Sequence, residues 1–361
     1  MTTHLRRISL SARGMAKPWF LALLVGVIAL AAVGFYASRG GTGSTTAPSK
    51  LPGAADTSQP IVMAKVRAGY LPLNLVGLPF FVARDQGFFA KHGIDIELVR
   101  LESSPAIAAA VASGDVDFAT TLAFAVAVTT EARDPGLLKV FLVDSATPEQ
   151  NLSALVTRKD SGITKVEDLR GKTIGSFPGP TALIFFGKVL EKHGLDAKKD
   201  VKIVELAGGL QIQALMSGQV DALNTYEPIA SRAVVEHNAV TYFKGAVETD
   251  VINPWQAGVN AVSRKLISDR PDVARGVIAA MYDAIDFIRA HPEDAKKSLK
   301  LAGIPDAVIP ALPVIYQTKI GEVDIATLQR HADILQGAKL VDKKVDVKTL
   351  FVAPSLLPPG R

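Results

Sequence analysis

The chain contains no cysteine. That absence excludes disulfides, iron–sulfur clusters, thiolate zinc sites, thiol nucleophiles and a lipid-modified cysteine anchor. Charged residues make up 21% against 48% hydrophobic, which excludes disorder throughout. A net charge beyond the N-terminus is also missing. Lys and Arg number 40 against 35 Asp and Glu, and five of the basic residues (Arg6, Arg7, Arg13, Lys17, Arg39) lie within the first 40 positions. The remainder is formally neutral, so the pI near 9.2 marks no basic binding face and argues against nucleic acid as a partner. The six histidines (4, 92, 193, 237, 291, 331) show no H-x-x-x-H spacing. No nucleophile-elbow serine and no Walker lysine loop occurs, so ATP hydrolysis would need another subunit. Only one stretch is long and apolar enough to span a bilayer, which excludes a channel or a polytopic transporter.

That stretch is 19–36, an uncharged apolar run of 18 residues. As a helix it would be about 27 Å long, near the ~30 Å hydrocarbon core. The basic segment 1–17 precedes it and predicts a cytoplasmic N-terminus with everything after 37 outside. Residues 18–37 read either as a cleaved signal peptide, with Ala29-Leu30-Ala31 as a small-x-small site, or as a retained transmembrane anchor. The length of the run favours the anchor. Residues 38–60 are rich in Gly, Ser, Thr, Ala and Pro and read as a flexible linker.

The body alternates β-branched and helical runs, the pattern of an α/β fold. Strands are predicted at 62–69, 94–100, 116–120 and 138–143, with helices at 79–91, 104–112 and from about 122. The same order returns a hundred residues on: strands at 172–175, 201–206 and 220–224, helices at 181–192 and 211–216. Lys91-His92-Gly93-Ile94-Asp95 matches Lys192-His193-Gly194-Leu195-Asp196, and Ser113-Gly114-Asp115-Val116-Asp117 matches Ser217-Gly218-Gln219-Val220-Asp221, offsets of 101 and 104 residues. The glycines stand where a helix stops and positive φ is wanted. Two similar lobes follow, one at 61–155, one at 156–257, with 258–350 returning to the first and a tail at 351–361. Strands at 153–158 and 258–263 make two crossings, hence a hinge and a cleft. Helices at 271–290, 292–302 and 324–337 complete the chain.

Gly69-Tyr70, Gly87-Phe88-Phe89, the Lys-His-Gly and Ser-Gly strings, Val166-Glu167-Asp168-Leu169-Arg170-Gly171-Lys172, Tyr226-Glu227-Pro228, Val262-Ser263-Arg264 and His291-Pro292-Glu293-Asp294-Ala295 fall in one order. From about residue 64 to 350 the body resembles solute-binding proteins of bacterial ABC importers, the group for nitrate, taurine, aliphatic sulfonates and thiamine-pyrimidine precursors. The resemblance implies a two-lobed type II periplasmic binding protein fold. It also implies an extracytoplasmic, non-catalytic monomer without a cofactor, whose partners are a small solute, a permease and its ATPase subunit, with the membrane reached through the N-terminal helix. Enzymes of this group rely on cysteine, which leaves a cofactor-free enzyme as the alternative. A tethered receptor for a signalling partner is a third reading.

In open α/β sheets ligands bind beyond the C-terminal strand ends, where helix N-termini present free N–H groups. Four turns qualify. The first offers Tyr70, the second Thr120 and Thr121. The third, Ser176-Phe177-Pro178-Gly179-Pro180-Thr181, combines hydroxyls with a glycine and a helix start, and suits a sulfonate, carboxylate or nitrate. Pro180, however, removes one N–H donor from that turn. The fourth turn offers Tyr226 and Glu227, whose charge would repel an anion and suit an amine or ring N–H. Tyr70 and Tyr226 could sandwich a planar ligand. Trp255-Gln256 and Asp144-Ser145 could also reach the cleft. His92 and His193 read as structural. The solute expected from this reading is a small organosulfur or nitrogen compound of the taurine, alkanesulfonate or nitrate class, with a thiamine-pyrimidine precursor as the alternative.

Overall fold

The computed structural model describes residues 63–359. The predicted anchor or signal helix and the linker lie outside the described residues. Among the described residues no helix is long and apolar enough to cross a membrane.

The first lobe runs β1 (Ala64–Tyr70), α1 (Leu78–Asp85), α2 (Phe88–Lys91), β2 (Ile94–Arg100), α3 (Ser104–Ser113), β3 (Phe118–Ala123), α4 (Phe124–Arg133) and β4 (Leu138–Ser145). The second runs β5 (Ser153–Thr157), β6 (Thr173–Ser176), α5 (Pro180–Lys192), β7 (Lys202–Glu205), α6 (Gly208–Met216), β8 (Ala222–Tyr226), α7 (Ile229–His237), β9 (Val240–Lys244) and α8 (Ala246–Asp250). The chain then returns through β10 (Gly258–Ser263), α9 (Arg264–Asp269), α10 (Pro271–Ala290), α11 (Pro292–Lys296), β11 (Tyr316–Lys319) and α12 (Ile325–Gly337). Two sheets result, ordered β11-β4-β10-β3-β1-β2 and β7-β6-β8-β5-β9.

Local chemistry explains the elements. The helix predicted over 79–91 breaks into α1 and α2 at Gly87, which sits in the left-handed region. Ser103 caps α3 by accepting from the Ala106 N–H. On α10, Val277, Met281, Ile285 and Ile288 fall at helical spacing and are buried against the first sheet's core. That core is a run of rings, Phe80 to Phe118 at 5.8 Å and Phe118 to Phe141 at 5.7 Å. Each fully buried ring contributes roughly 1.5–3 kcal/mol.

The internal repeat is structural. Gly93 and Gly194 both adopt φ of 71°. Beside them the two Lys-His pairs make the same contact: Lys91 Nζ and His92 Nε2 each lie 2.9 Å from the Asp283 carboxylate. Lys192 Nζ and His193 Nε2 lie 2.9 and 2.8 Å from that of Asp250. The histidines are therefore fixed by carboxylates as well as by their places at helix ends.

Two segments, 146–152 and 251–257, cross between the sheets. β5 pairs with β8 and β9 in the second sheet, so the first crossing precedes Ser153 instead of following residue 155. The crossings touch where Ala146 and Trp255 exchange both backbone hydrogen bonds, at 3.0 and 2.8 Å. Buried Glu248 on α8 ties the start of β5, accepting from Leu152 N at 2.7 Å, from Ser153 N at 3.0 Å and from the Ser153 hydroxyl.

Candidate functional site

Strand direction decides what lines the seam between the lobes. β3 and β4 both run antiparallel to β10, so their C-terminal ends share one edge with the end of β1. That edge gathers Tyr70, Thr120–Ala123, Asp144, Ser145 and the start of β10. β11, antiparallel to β4, brings Gln317 opposite Asp144. The facing edge of the second sheet gathers Ser176, Glu205 and Tyr226, the ends of parallel β6, β7 and β8.

Each predicted position has a definite setting. Tyr70 is half-buried and stands edge-on to Phe81, at 6.0 Å. β3 runs on through Ala123 instead of ending at 120, and it is bulged. Val259 pairs with Leu122 and Ala261 with Ala119, so one residue, Asn260, faces two, Thr120 and Thr121. Thr121 takes φ of 57°, unusual for a branched residue. Its hydroxyl accepts from Leu71 N at 3.0 Å and ties the β1 turn to the bulge. Ser176 is buried and accepts from Asn224 Nδ2 at 2.9 Å. Gly179 caps α5 with φ of 103°, a conformation closed to other residues, although a Cβ there would meet nothing within 4 Å. Its N–H donates to Glu205 Oε2 at 2.7 Å. Thr181 follows, half-buried, at the second position of α5. Glu227, just before α7, accepts from Ser231 N and Oγ, both at 3.0 Å; burial pushes its pKa up, against the pull of those bonds.

Tyr226 and Trp255 join a continuous series of rings. Phe177 stacks on Tyr226 at 5.1 Å with a 15° interplanar angle, and Tyr226 lies 5.5 Å from Trp255. Trp255 lies 5.6 Å from Phe185 of α5, and Phe185 lies 4.7 Å from His331 of α12. His331 in turn lies 4.7 Å from Phe124 of α4. The series starts in one lobe and ends in the other. Tyr70 stays outside it, packed on Phe81. The sequence offers Phe177 only as part of the third turn, and gives Phe124, Phe185 and His331 no place in the site. His331 is buried, and burial pushes its pKa down to about 3, the Gln256 backbone opposing, so the ring is neutral.

Among the described residues, unpaired buried polar groups gather in the first lobe, with Tyr242 Oη of β9 the exception in the second. In the second lobe Ser176 pairs with Asn224, and Thr225 Oγ1 donates to Gln211 Oε1 at 2.6 Å. In the first, Thr120, Asp144, Asn260 and Gln317 are buried with side-chain atoms that meet no partner, as does Trp255 Nε1. Burial raises the Asp144 pKa to about 8, with the nearby Gln317 amide pulling it back. Among the described residues the buried cations are Lys296 and Lys319, paired with Glu293 and Asp286.

The NMT1/THI5-like family model matches residues 74–295. The riboflavin-binding protein RibY of Chloroflexus aurantiacus is 28% identical over 332 residues, 85% of this chain and 88% of that protein. The taurine-binding periplasmic protein of Escherichia coli is 26% identical over 245 residues, 65% of this chain and 72% of that protein. Among solved structures, the periplasmic aliphatic sulphonate binding protein SsuA of Escherichia coli superposes with a TM-score of 0.65 at 21% identity, covering 80% of this chain and 97% of that one. Two sheets joined by paired crossings match the type II periplasmic binding protein fold of that structure. The chain belongs to the NMT1/THI5-like family, beside the solute-binding proteins of ABC importers.

Proposed function

We propose that this chain is the extracytoplasmic solute receptor of an ABC importer and that its solute is a planar, uncharged heteroaromatic compound. The observation that carries the reading is the ring series from Phe124 through His331, Phe185, Trp255 and Tyr226 to Phe177. Phe124, His331, Phe185 and Trp255 are buried ring on ring, and half-buried Tyr226 and Phe177 end the series at the seam; that end suits a flat ligand, since offset or edge-on contacts add about 0.5–1.5 kcal/mol each beyond area burial. The name of the RibY relative supports a ring-bearing solute. The thiamine-pyrimidine alternative falls within the same class.

The small-anion class has its own support in the taurine-binding relative and the sulfonate-binding fold. The electrostatics weigh against it here. The helix start that would grip an anion already gives its Gly179 N–H to Glu205. Glu205 keeps that N–H engaged, and both buried lysines are paired elsewhere. A sulfonate in such a seam would be desolvated without a counter-charge.

Binding works through the lobes. A solute that touches both binds the closed form better than the open one and shifts the population towards closure. The closed receptor then meets the permease and its ATPase, and the predicted N-terminal segment keeps it on the outer face of the membrane. Calorimetry and solution scattering of the full chain with riboflavin, hydroxymethylpyrimidine, taurine, an alkanesulfonate and nitrate test this. The expected result is micromolar or tighter binding with compaction for at least one of the two ring compounds. Binding of taurine, alkanesulfonate or nitrate with no response to either ring would refute the ligand class, and silence across the panel would refute the receptor reading.

A further inference from the structure

The first lobe holds polar groups whose partners the protein does not itself supply. Asp144 stands one residue from the end of β4 at the seam, 1% exposed; neither carboxyl oxygen makes a well-formed hydrogen bond, and the Gln317 amide opposite is the one group that favours its ionised form. Gly258 makes room for it: a Cβ there would fall inside van der Waals contact of Asp144 Oδ2. On the other side β11 sets Gln317 against Asp144, and both atoms of that amide are unpaired. Two residues along β10 from Gly258, Asn260 faces the Thr120–Thr121 bulge; its amide and the Thr120 hydroxyl are unpaired as well. These four side chains lie on β11, β4, β10 and β3, which are consecutive in the sheet. Folded proteins leave few buried polar groups without partners, because each forgoes a hydrogen bond it made in water. Four such side chains on neighbouring strands at one sheet end, where the other lobe pairs Ser176 with Asn224 and Thr225 with Gln211, mark a surface built for a ligand.

We propose that Asp144 and Gln317, backed by Asn260 and Thr120, are the specificity-determining face of the solute site and read an amide or imide edge of the ligand. This rests on the heteroaromatic reading above. A carboxylic acid and an imide match atom for atom: the acid O–H donates to the ring carbonyl while the acid carbonyl accepts from the ring N–H. Asp144 can present that form at neutral pH because burial raises its pKa to about 8. The titratable and charged groups around it are engaged. Lys319 of β11 pairs with Asp286 of α10, Arg289 of α10 donates to the Gln317 backbone carbonyl at 3.2 Å and binds Glu322, and His331 of α12 is held neutral by burial. Above the Asp144 pKa the carboxylate would lose its donor and face the ligand carbonyl with like charge, so affinity should fall with rising pH.

The test uses the full chain with riboflavin and N3-methylriboflavin, in which the imide N–H is blocked. Affinities are measured from pH 6.5 to 9.5 for the wild type, Asp144→Asn and Gln317→Met. The proposal expects N3-methylation to weaken wild-type binding at least tenfold, and wild-type affinity for riboflavin to fall several-fold between pH 8 and 9. Asp144→Asn should keep a flat profile across that range, and Gln317→Met should bind riboflavin at least fivefold more weakly. Should Asp144→Asn not fold, the methylated probe and Gln317→Met decide alone. Riboflavin binding that ignores both methylation and Gln317→Met, or an Asp144→Asn profile that follows the wild type, overturns this proposal and leaves the ring-ligand reading standing. Binding of taurine with no binding of any ring compound overturns both.

Discussion

Replacing Asp144 with Asn should stabilise the ligand-free protein, and by an amount that depends on pH. The carboxyl is buried, has only the Gln317 amide to favour its charge, and has its pKa raised from 3.8 to about 8. In the unfolded chain it ionises near its ordinary value. Between those two values the folded protein holds a proton that the unfolded chain has released, so each rising pH unit disfavours folding by about 1.4 kcal/mol. The sign is that of an acid with a raised folded pKa: stability falls as pH climbs from about 4 to 8 and levels off above. Carried to pH 7, the wild type should have lost about 4 kcal/mol relative to its value near pH 4 from this group alone. Asn keeps the shape and cannot ionise, so this loss disappears. Other buried acids, Glu227 and Glu248, are common to both proteins and cancel in the difference. The assay is denaturant unfolding of wild type and Asp144→Asn at pH 4.5, 6, 7.5 and 9. The gap should be small at pH 4.5, widen to several kcal/mol in favour of the variant by pH 7.5, and stay constant above pH 8. A gap that does not change with pH would refute the reasoning.

Three further outcomes follow from local geometry. Glu248→Ala strips two backbone N–H groups and the Ser153 hydroxyl of their acceptor at a crossing, and should cost about 3 kcal/mol in unfolding experiments. Gly258→Ala drives a methyl into Asp144 and should cost roughly 1–3 kcal/mol, with Asp144→Ala in the same chain recovering most of it. His193 loses basicity through burial but gains more from its bonds to Glu167 and Asp250, so its folded pKa is raised. The stabilisation is complete below the ordinary histidine value and fades as pH rises through the folded one. His193→Gln should therefore cost about 1 kcal/mol at pH 5.5 and much less at pH 9, read from thermal unfolding.

The two lobes were legible in the sequence because their helix–glycine–strand junctions repeat, and those glycines do adopt positive φ. α10 was legible from the spacing of Val277, Met281, Ile285 and Ile288, and β10 from its short β-branched run before Ser263-Arg264. β11 was not. Its four residues YQTK are short and mostly polar, and only the long-range pairing with β4 makes them a strand. The strand-end rule pointed to Tyr226, Trp255 and the Asp144 turn. It could not reveal that Gly179 is already bonded to Glu205, 26 residues away, which is why an anion grip reads well from sequence and less well from geometry. Nor could it find the ring series, since Phe124, Phe185 and His331 sit on three helices distant in the chain and meet only through tertiary packing. The unpaired carboxyl and amides were likewise beyond local reading, because satisfaction of a polar group is a property of its neighbours in space.

Trp255 offers the most direct test of a ring-binding seam. The chain has two tryptophans, Trp19 and Trp255, so in a full-length Trp19→Phe protein the indole emission reports on the ring series alone. Titration with riboflavin or hydroxymethylpyrimidine should change that emission saturably at micromolar concentrations for at least one of the two, while taurine, an alkanesulfonate and nitrate leave it unmoved. A saturable response to one of the small anions with none to either ring would contradict the account.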